Sequence, residues 1–125
     1  MATDPDAELV YRAEALLEQE LPTRKLTLKG AQDLVDRISH AKDIDPPKVL
    51  KLPISRQYDG LAVPSELAIV VRTSRPTQLT IIHEVAHLLT NSGHGSGFRQ
   101  AYLEIVRQHL SLDHYSSLQS GLQEN

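Results

Sequence analysis

The stretch Leu79-Thr80-Ile81-Ile82-His83-Glu84-Val85-Ala86-His87-Leu88-Leu89 decides how this protein is read. Leu79, Ile82, Ala86 and Leu89 recur at the spacing of one helical face, which predicts a buried helix running to about Thr90. Ser74 is its predicted cap, with Pro76 tolerated in the first turn. Within it, His83 and His87 stand four residues apart, so their imidazoles lie one above the other and can reach one ion. Glu84 projects beside that ion's open position, where it can take a proton from water. This H-E-x-x-H pattern is the arrangement of a zinc-dependent hydrolase. Leaving two imidazoles and a carboxylate buried without partners would cost roughly 2–7 kcal/mol for each group, and a metal satisfies all three together.

An open zinc site needs a third protein ligand. His94 is the leading candidate. It lies between Gly93 and Gly95, whose freedom is expected to allow the backbone to reverse over the helix. Ser96 is then expected to cap a further helix to about Leu110, with Phe98, Ala101, Tyr102, Ile105 and Val106 as its apolar stripe. Glu104 is the rival ligand, but its phase points away from that stripe. His109 falls on the stripe and reads as packed. His40, Asp113 and His114 read as solvent-facing.

Outward from this segment the organisation is simple. Residues 5–21 predict an amphipathic helix with Leu9, Ala13, Leu16 and Leu17 on the core face, its charged residues forming a solvated face, and Pro22 just past the end. A second helix runs from about Lys29 to His40 with Ala31, Leu34, Val35 and Ile38 inward. Residues 48–54 alternate, placing Leu50, Leu52 and Ile54 on one side of a strand that Pro53 assigns to an edge. Tyr58-Asp59-Gly60 is a turn, an extended stretch follows over Leu61–Val63, and Leu67–Val71 is a strand covered on both faces. Asn91-Ser92-Gly93 is a turn, and residues 111–125 read as a short helix and a frayed tail.

The 125 residues fit one domain, and 40% apolar residues suffice for one core. There is no cysteine, which excludes a disulfide scaffold, a zinc ribbon and a thiol nucleophile. Thirteen basic against sixteen acidic residues give a charge of −3, so no autonomous nucleic-acid binding is expected. No apolar run reaches the ~18 residues of a membrane span. The acidic first twenty residues do not resemble a secretory signal, so the expected location is the cytoplasm.

His83-Glu84-Val85-Ala86-His87 followed by His94-Gly95-Ser96-Gly97-Phe98 resembles the HExxH…HGxxF pattern of the SprT-like and WLM minimal metalloproteases. In its order of elements the protein is similar to a group of small actinobacterial and phage-borne HExxH metallohydrolases. The resemblance implies an α+β, zincin-like fold with Zn2+ held by His83, His87 and His94. Glu84 would be the catalytic base, and Phe98 would pack the two helices together. The metzincin pattern does not apply, because Thr90 stands where it needs glycine and His94 falls one residue late. With no cysteine and no basic tail, the DNA-repair role of SprT proteases is not carried over.

The function expected is hydrolysis of peptide bonds in a peptide or protein substrate. The ion would polarise the carbonyl and lower the pKa of its water toward ~7, and Glu84 would pass the proton to the leaving amine. The strand over Leu67–Val71 is expected to offer backbone groups to an extended substrate. Tyr58, Tyr102 and Arg72 are the candidates for stabilising an oxyanion. Hydrolysis of a non-peptide amide or ester, or a non-catalytic zinc-stabilised binding module, are the alternatives.

Overall fold

A computed structural model of the protein describes residues 4–90 and 93–123. Asn91 and Ser92 of the expected turn, and the last two residues of the expected tail, lie outside the described residues. The elements are α1 (Pro5–Glu20), α2 (Leu28–Lys42), β1 (Lys48–Lys51), β2 (Gly60–Val63), β3 (Ala68–Val71), α3 (Gln78–Thr90), α4 (Ser96–His109) and α5 (Leu112–Leu122), with a 3-10 turn at Pro64–Glu66. The class is α+β, with five helices and one three-stranded mixed sheet among the described residues. Among the described residues no helix is long and apolar enough to cross a membrane.

The sheet has the order β1-β3-β2. β3 is central, parallel to β1 and antiparallel to β2. All four of its residues are buried, as its continuous apolar run predicts. It starts at Ala68 because Leu67 takes a left-handed conformation, φ 47°, at the exit of the 3-10 turn.

β1 is the edge strand that Pro53 implies, but it is shorter and faces the other way. Val49 packs against the core, while Leu50 and Leu52 are 44% and 48% exposed. The register is pinned from α2: the Gln32 side chain accepts from the Val49 N–H at 2.8 Å and donates to the Pro47 carbonyl at 2.9 Å. A one-residue shift in register inverts every side chain of a strand, and these bonds decide it against the longer apolar alternation.

α3 runs through the centre, with α2 and β2 packed on it and α4 beside it. Its cap is Thr77, whose hydroxyl accepts from the Thr80 N–H at 3.1 Å. Ser74 does not serve, because the backbone up to Pro76 is not yet helical. Lys25 bridges to Thr77, and the Leu26 N–H donates to the Pro76 carbonyl. α4, by contrast, starts one residue earlier than expected, with Gly95 at the cap and Ser96 as its first residue.

α1 buries Leu9, Val10, Ala13 and Leu17, while Leu16 is 48% exposed. Its face is therefore rotated toward Val10, because α5 packs along it. α5 is the short helix expected after Ser111, 11 residues long, and Leu118 and Leu122 are buried. Ser111 caps it, accepting from the His114 N–H at 3.0 Å. His114 is not solvent-facing as expected: Nδ1 meets the Ser111 hydroxyl, and Nε2 donates to the Leu21 carbonyl at the end of α1. His40 and Asp113 are exposed, as read from sequence.

Two outcomes follow. Leu118→Ala should destabilise the protein by about 2–5 kcal/mol in urea unfolding, the cost of emptying a sealed core position; a change near zero would mean that α5 is frayed. His109 is packed, as expected, and its buried Nε2 has no hydrogen-bond partner among the described residues. Burial, then Arg37 and Lys42, hold its pKa below the ordinary 6.5. As pH falls through 6.5 the unfolded chain takes up this proton first, so stability is lost on acidification and is complete above that range. His109→Gln should flatten this part of the stability–pH curve.

Candidate metal centre

α3 presents His83 and His87 on one face, one turn apart. The segment before α4 brings His94 to the same point. The three Nε2 atoms form a triangle with sides of 3.2, 3.1 and 3.3 Å. Three nitrogens at 2.0–2.1 Å from a tetrahedral zinc ion lie about 3.3–3.4 Å apart. Among the described residues, this is the group of His, Asp and Glu side chains whose ligand atoms converge in this way. His83 and His94 are buried and His87 is half-buried.

The other ring nitrogens of two of these residues explain the triangle. His83 Nδ1 is hydrogen-bonded to Glu14, whose Oε2 also accepts from the Tyr102 hydroxyl at 2.6 Å. His94 Nδ1 is hydrogen-bonded to Asp4 Oδ2 at 2.8 Å, and the His94 backbone N–H donates to the same oxygen at 2.9 Å. An ionised carboxylate keeps the proton on Nδ1 and turns the lone pair of Nε2 outward. Lone pairs aimed at a common point by nitrogens about 3 Å from one another repel, and a cation among them removes that repulsion. The donor set therefore fits a divalent metal.

The local charges agree. The bonds from His94 hold the Asp4 carboxyl below its usual range. Burial disfavours the charged form of His83, but the bond and charge of Glu14, with Glu84 and Asp59, raise its pKa overall. The pocket is rich in negative potential at the place where the three nitrogens meet.

Aromatic rings enclose the cluster. Phe98 is fully buried and stacks on His87, with centroids 4.4 Å apart, and it also contacts His83 and His94. This is the packing role expected for it. Tyr11 lies on the open side, parallel to His83 at 6.0 Å and edge-on to His94 at 5.4 Å. It is 47% exposed.

Glu84 is 6% exposed. Burial pushes its pKa up to about 7, with His83 lowering it and Glu14 raising it, and the Ala62 N–H donates to the carboxylate. Ala62 lies in β2, the free antiparallel edge of the sheet. The Arg72 N–H donates to the Asp59 carbonyl, so the bonded pairs with β3 fall at Asp59, Leu61 and Val63. The main-chain groups of Gly60 and Ala62 consequently point away from β3, toward the cluster. The sequence points to Leu67–Val71 as the strand that meets a substrate. That expectation is corrected: β3 has a partner on both sides, and the available edge is β2.

Two clefts, of about 740 and 570 Å3, meet at Tyr11, Tyr58, Gly60, His83 and Glu84. Of the expected oxyanion candidates, Tyr102 is fully buried and committed to Glu14. Arg72 is held by Asp59 and the Tyr58 carbonyl. Only Tyr58 of the three lines the clefts. Glu104 is half-exposed and paired with Lys42 on α2, so it is not brought to the cluster.

Gly93 and Gly95 do not act through a left-handed backbone, since no described glycine has positive φ. Gly93 acts through space: a Cβ there would lie 2.7 Å from Asp4 Oδ2. The solvated face expected on α1 holds for Glu8, Arg12 and Glu20, which are exposed, and is corrected for the other acids. Asp4, Tyr11 and Glu14 face the cluster, Asp6 pairs with Arg99 at 3.0 Å, and Glu18 binds Thr23. A signal for this is present, because positions 4, 11, 14 and 18 follow steps of seven, three and four along one helix face.

A comparison with known protein families, characterised proteins and solved structures finds no match.

Protein purified without chelator should carry one zinc per molecule. His94→Ala should weaken zinc binding in competition with a chromophoric chelator at fixed pH, and Glu104→Ala should leave it unchanged. Glu14→Gln should cost about 10- to 100-fold, the usual effect of losing the partner of a ligating imidazole. Release of metal by Glu104→Ala but not by His94→Ala would reassign the third ligand.

Proposed function

We propose that this protein is a zinc-dependent metallopeptidase of zincin-like type, with His83, His87 and His94 as ligands and Glu84 as general base. The observation that carries this reading is the Nε2 triangle with the Glu84 carboxylate buried beside it. Zinc held there supplies Lewis acidity, polarising the scissile carbonyl and acidifying a water. The resemblance to SprT-like and WLM metalloproteases supports the same reading.

The residues of the protein divide the remaining work. Asp4 and Glu14 hold two ligand rings in one tautomer and orientation. Glu84, whose pKa lies near neutrality, accepts a proton from water and returns it to the leaving amine. The outward main-chain groups of Gly60 and the Ala62 carbonyl pair with an extended substrate laid along β2, while the Ala62 N–H stays on Glu84. This edge favours a peptide over a small amide or ester. Tyr11 and Tyr58 border the cleft and limit the access of bulk water. Among the described residues no fourth ligand group joins the three histidines, which argues against a closed structural site.

Glu84→Gln should retain zinc and fold while losing turnover by at least ~10²–10⁴-fold, the contribution of a positioned base. The measurement is cleavage of a peptide library and of unfolded protein, with metal content determined in parallel. Cleavage by the variant at the parent rate would remove Glu84 from the chemistry.

A further inference from the structure

The larger cleft runs from His83 and Glu84 to an outer rim, and its charges are unevenly committed. Four carboxylates line it: Glu14, Glu18, Asp59 and Glu84. All four are engaged within the protein. Glu14 is bound by His83 and Tyr102. Glu18 accepts from the N–H and the hydroxyl of Thr23 at 2.6 and 2.7 Å. Asp59 pairs with Arg72 at 3.2 Å, and Glu84 takes the Ala62 N–H.

The two cations that line the same cleft, Lys25 and Arg75, are different. Both are exposed, and neither side chain has a hydrogen-bond or ion-pair partner among the described residues. The backbone holds them on one rim. Lys25 bridges to Thr77, the Leu26 N–H donates to the Pro76 carbonyl at 2.7 Å, and the Gln78 N–H donates to the Arg24 carbonyl at 2.9 Å. The cleft is also lined by Thr73, Pro76, Thr77, Leu79 and Thr80, which are uncharged.

We propose that Lys25 and Arg75 form a carboxylate-recognising subsite, so that the cleft selects peptides bearing an acidic side chain or a free terminal carboxylate on this side of the scissile bond. This rests on the peptidase reading and adds a substrate class to it. A basic group placed against Lys25 and Arg75 would meet two unpaired like charges, while the carboxylates of the cleft each accept an internal bond, although the donors to Glu18 and Glu84 are uncharged groups.

The test is binding, which needs no turnover. Zinc-loaded Glu84→Gln protein is titrated into short fluorescent peptides by anisotropy. One peptide is rich in Asp and Glu with an amidated end, one is neutral with a free C-terminus, one is neutral and amidated, and one is rich in Lys. The acidic or the free-ended peptide, or both, should bind more tightly than the neutral amidated one, and the Lys-rich peptide least. Which of the first two gains identifies the source of the carboxylate. Adding Lys25→Glu and Arg75→Glu should remove the preference, by about 3- to 10-fold for two exposed ion pairs. The milder Lys25→Gln/Arg75→Gln pair should abolish it without reversal, and Lys51→Glu, the same charge change on β1, should not affect it. The preference should also shrink at high salt.

Equal binding of all four peptides, or a carboxylate preference that survives both double variants, overturns the subsite. Hydrolysis by the parent without the preference counts against the subsite alone. The preference without any hydrolysis by the parent supports the subsite as a binding site and overturns the peptidase reading alone.

Discussion

Three imidazole nitrogens that lie about 3 Å from one another and aim at one point are unfavourable unless a positive charge sits among them. The architecture of the protein is arranged to keep them there. The proton on His83 Nδ1 is held by Glu14 and that on His94 Nδ1 by Asp4, so neither ring can turn its lone pair aside without leaving a carboxylate without its partner. For Glu14, which is mostly buried, losing that partner is costly, while Asp4 is more exposed and is also held by the backbone N–H of His94. The cluster is thus suited to hold a cation.

That requirement makes α1 part of the site rather than a peripheral helix. Both carboxylates come from this end of the sequence, ten residues apart, and a helix places them on one face only if its opposite face is well seated. Val10, Ala13 and Leu17 seat it against the core, and α5 covers it from outside through Leu118 and Leu122. His114 joins the start of α5 to the end of α1, and Arg99 on α4 joins Asp6. Packing of the last helix therefore reaches the ligand rings through a helix that contributes no ligand.

Much of this is legible in the sequence, and the failures have physical causes. The stripes of α2 and α4 emerge correctly because periodicity reports burial directly. Spacing alone joins the three histidines and Glu84 into one site, and the geometry brings the histidines together. Periodicity places Leu16 and Leu50 inward because an apolar residue is the natural choice for a core position; α5 and the Gln32 bonds, which are tertiary, decide otherwise. Asp4 and Glu14 look like surface charge because a carboxylate on an amphipathic helix usually is. Their partners lie about seventy to ninety residues away, so the spacing of positions 4, 11, 14 and 18 marks a shared face without showing what that face meets. The glycines beside His94 suggest backbone freedom, whereas Gly93 is there because Asp4 occupies the space of its side chain.

The same kind of constraint joins the sheet to the base. A Cβ on Gly60 would come within 3.2–3.3 Å of the Glu84 side chain and of Thr80 on α3. The edge strand can approach the helix only because that atom is missing, and the approach brings the Ala62 N–H onto the carboxylate. Burial by itself favours the protonated form of Glu84, while this donor and His83 favour the ionised one. The position of β2 thus sets two properties together. It leaves β2 as an edge strand of the sheet, and it adjusts the proton affinity of the group beside that edge. A sheet displaced outward by the width of one methyl group would still have an edge, but it would leave Glu84 without its backbone donor. The glycine at the start of β2 therefore links the place of that edge to how readily Glu84 can take a proton.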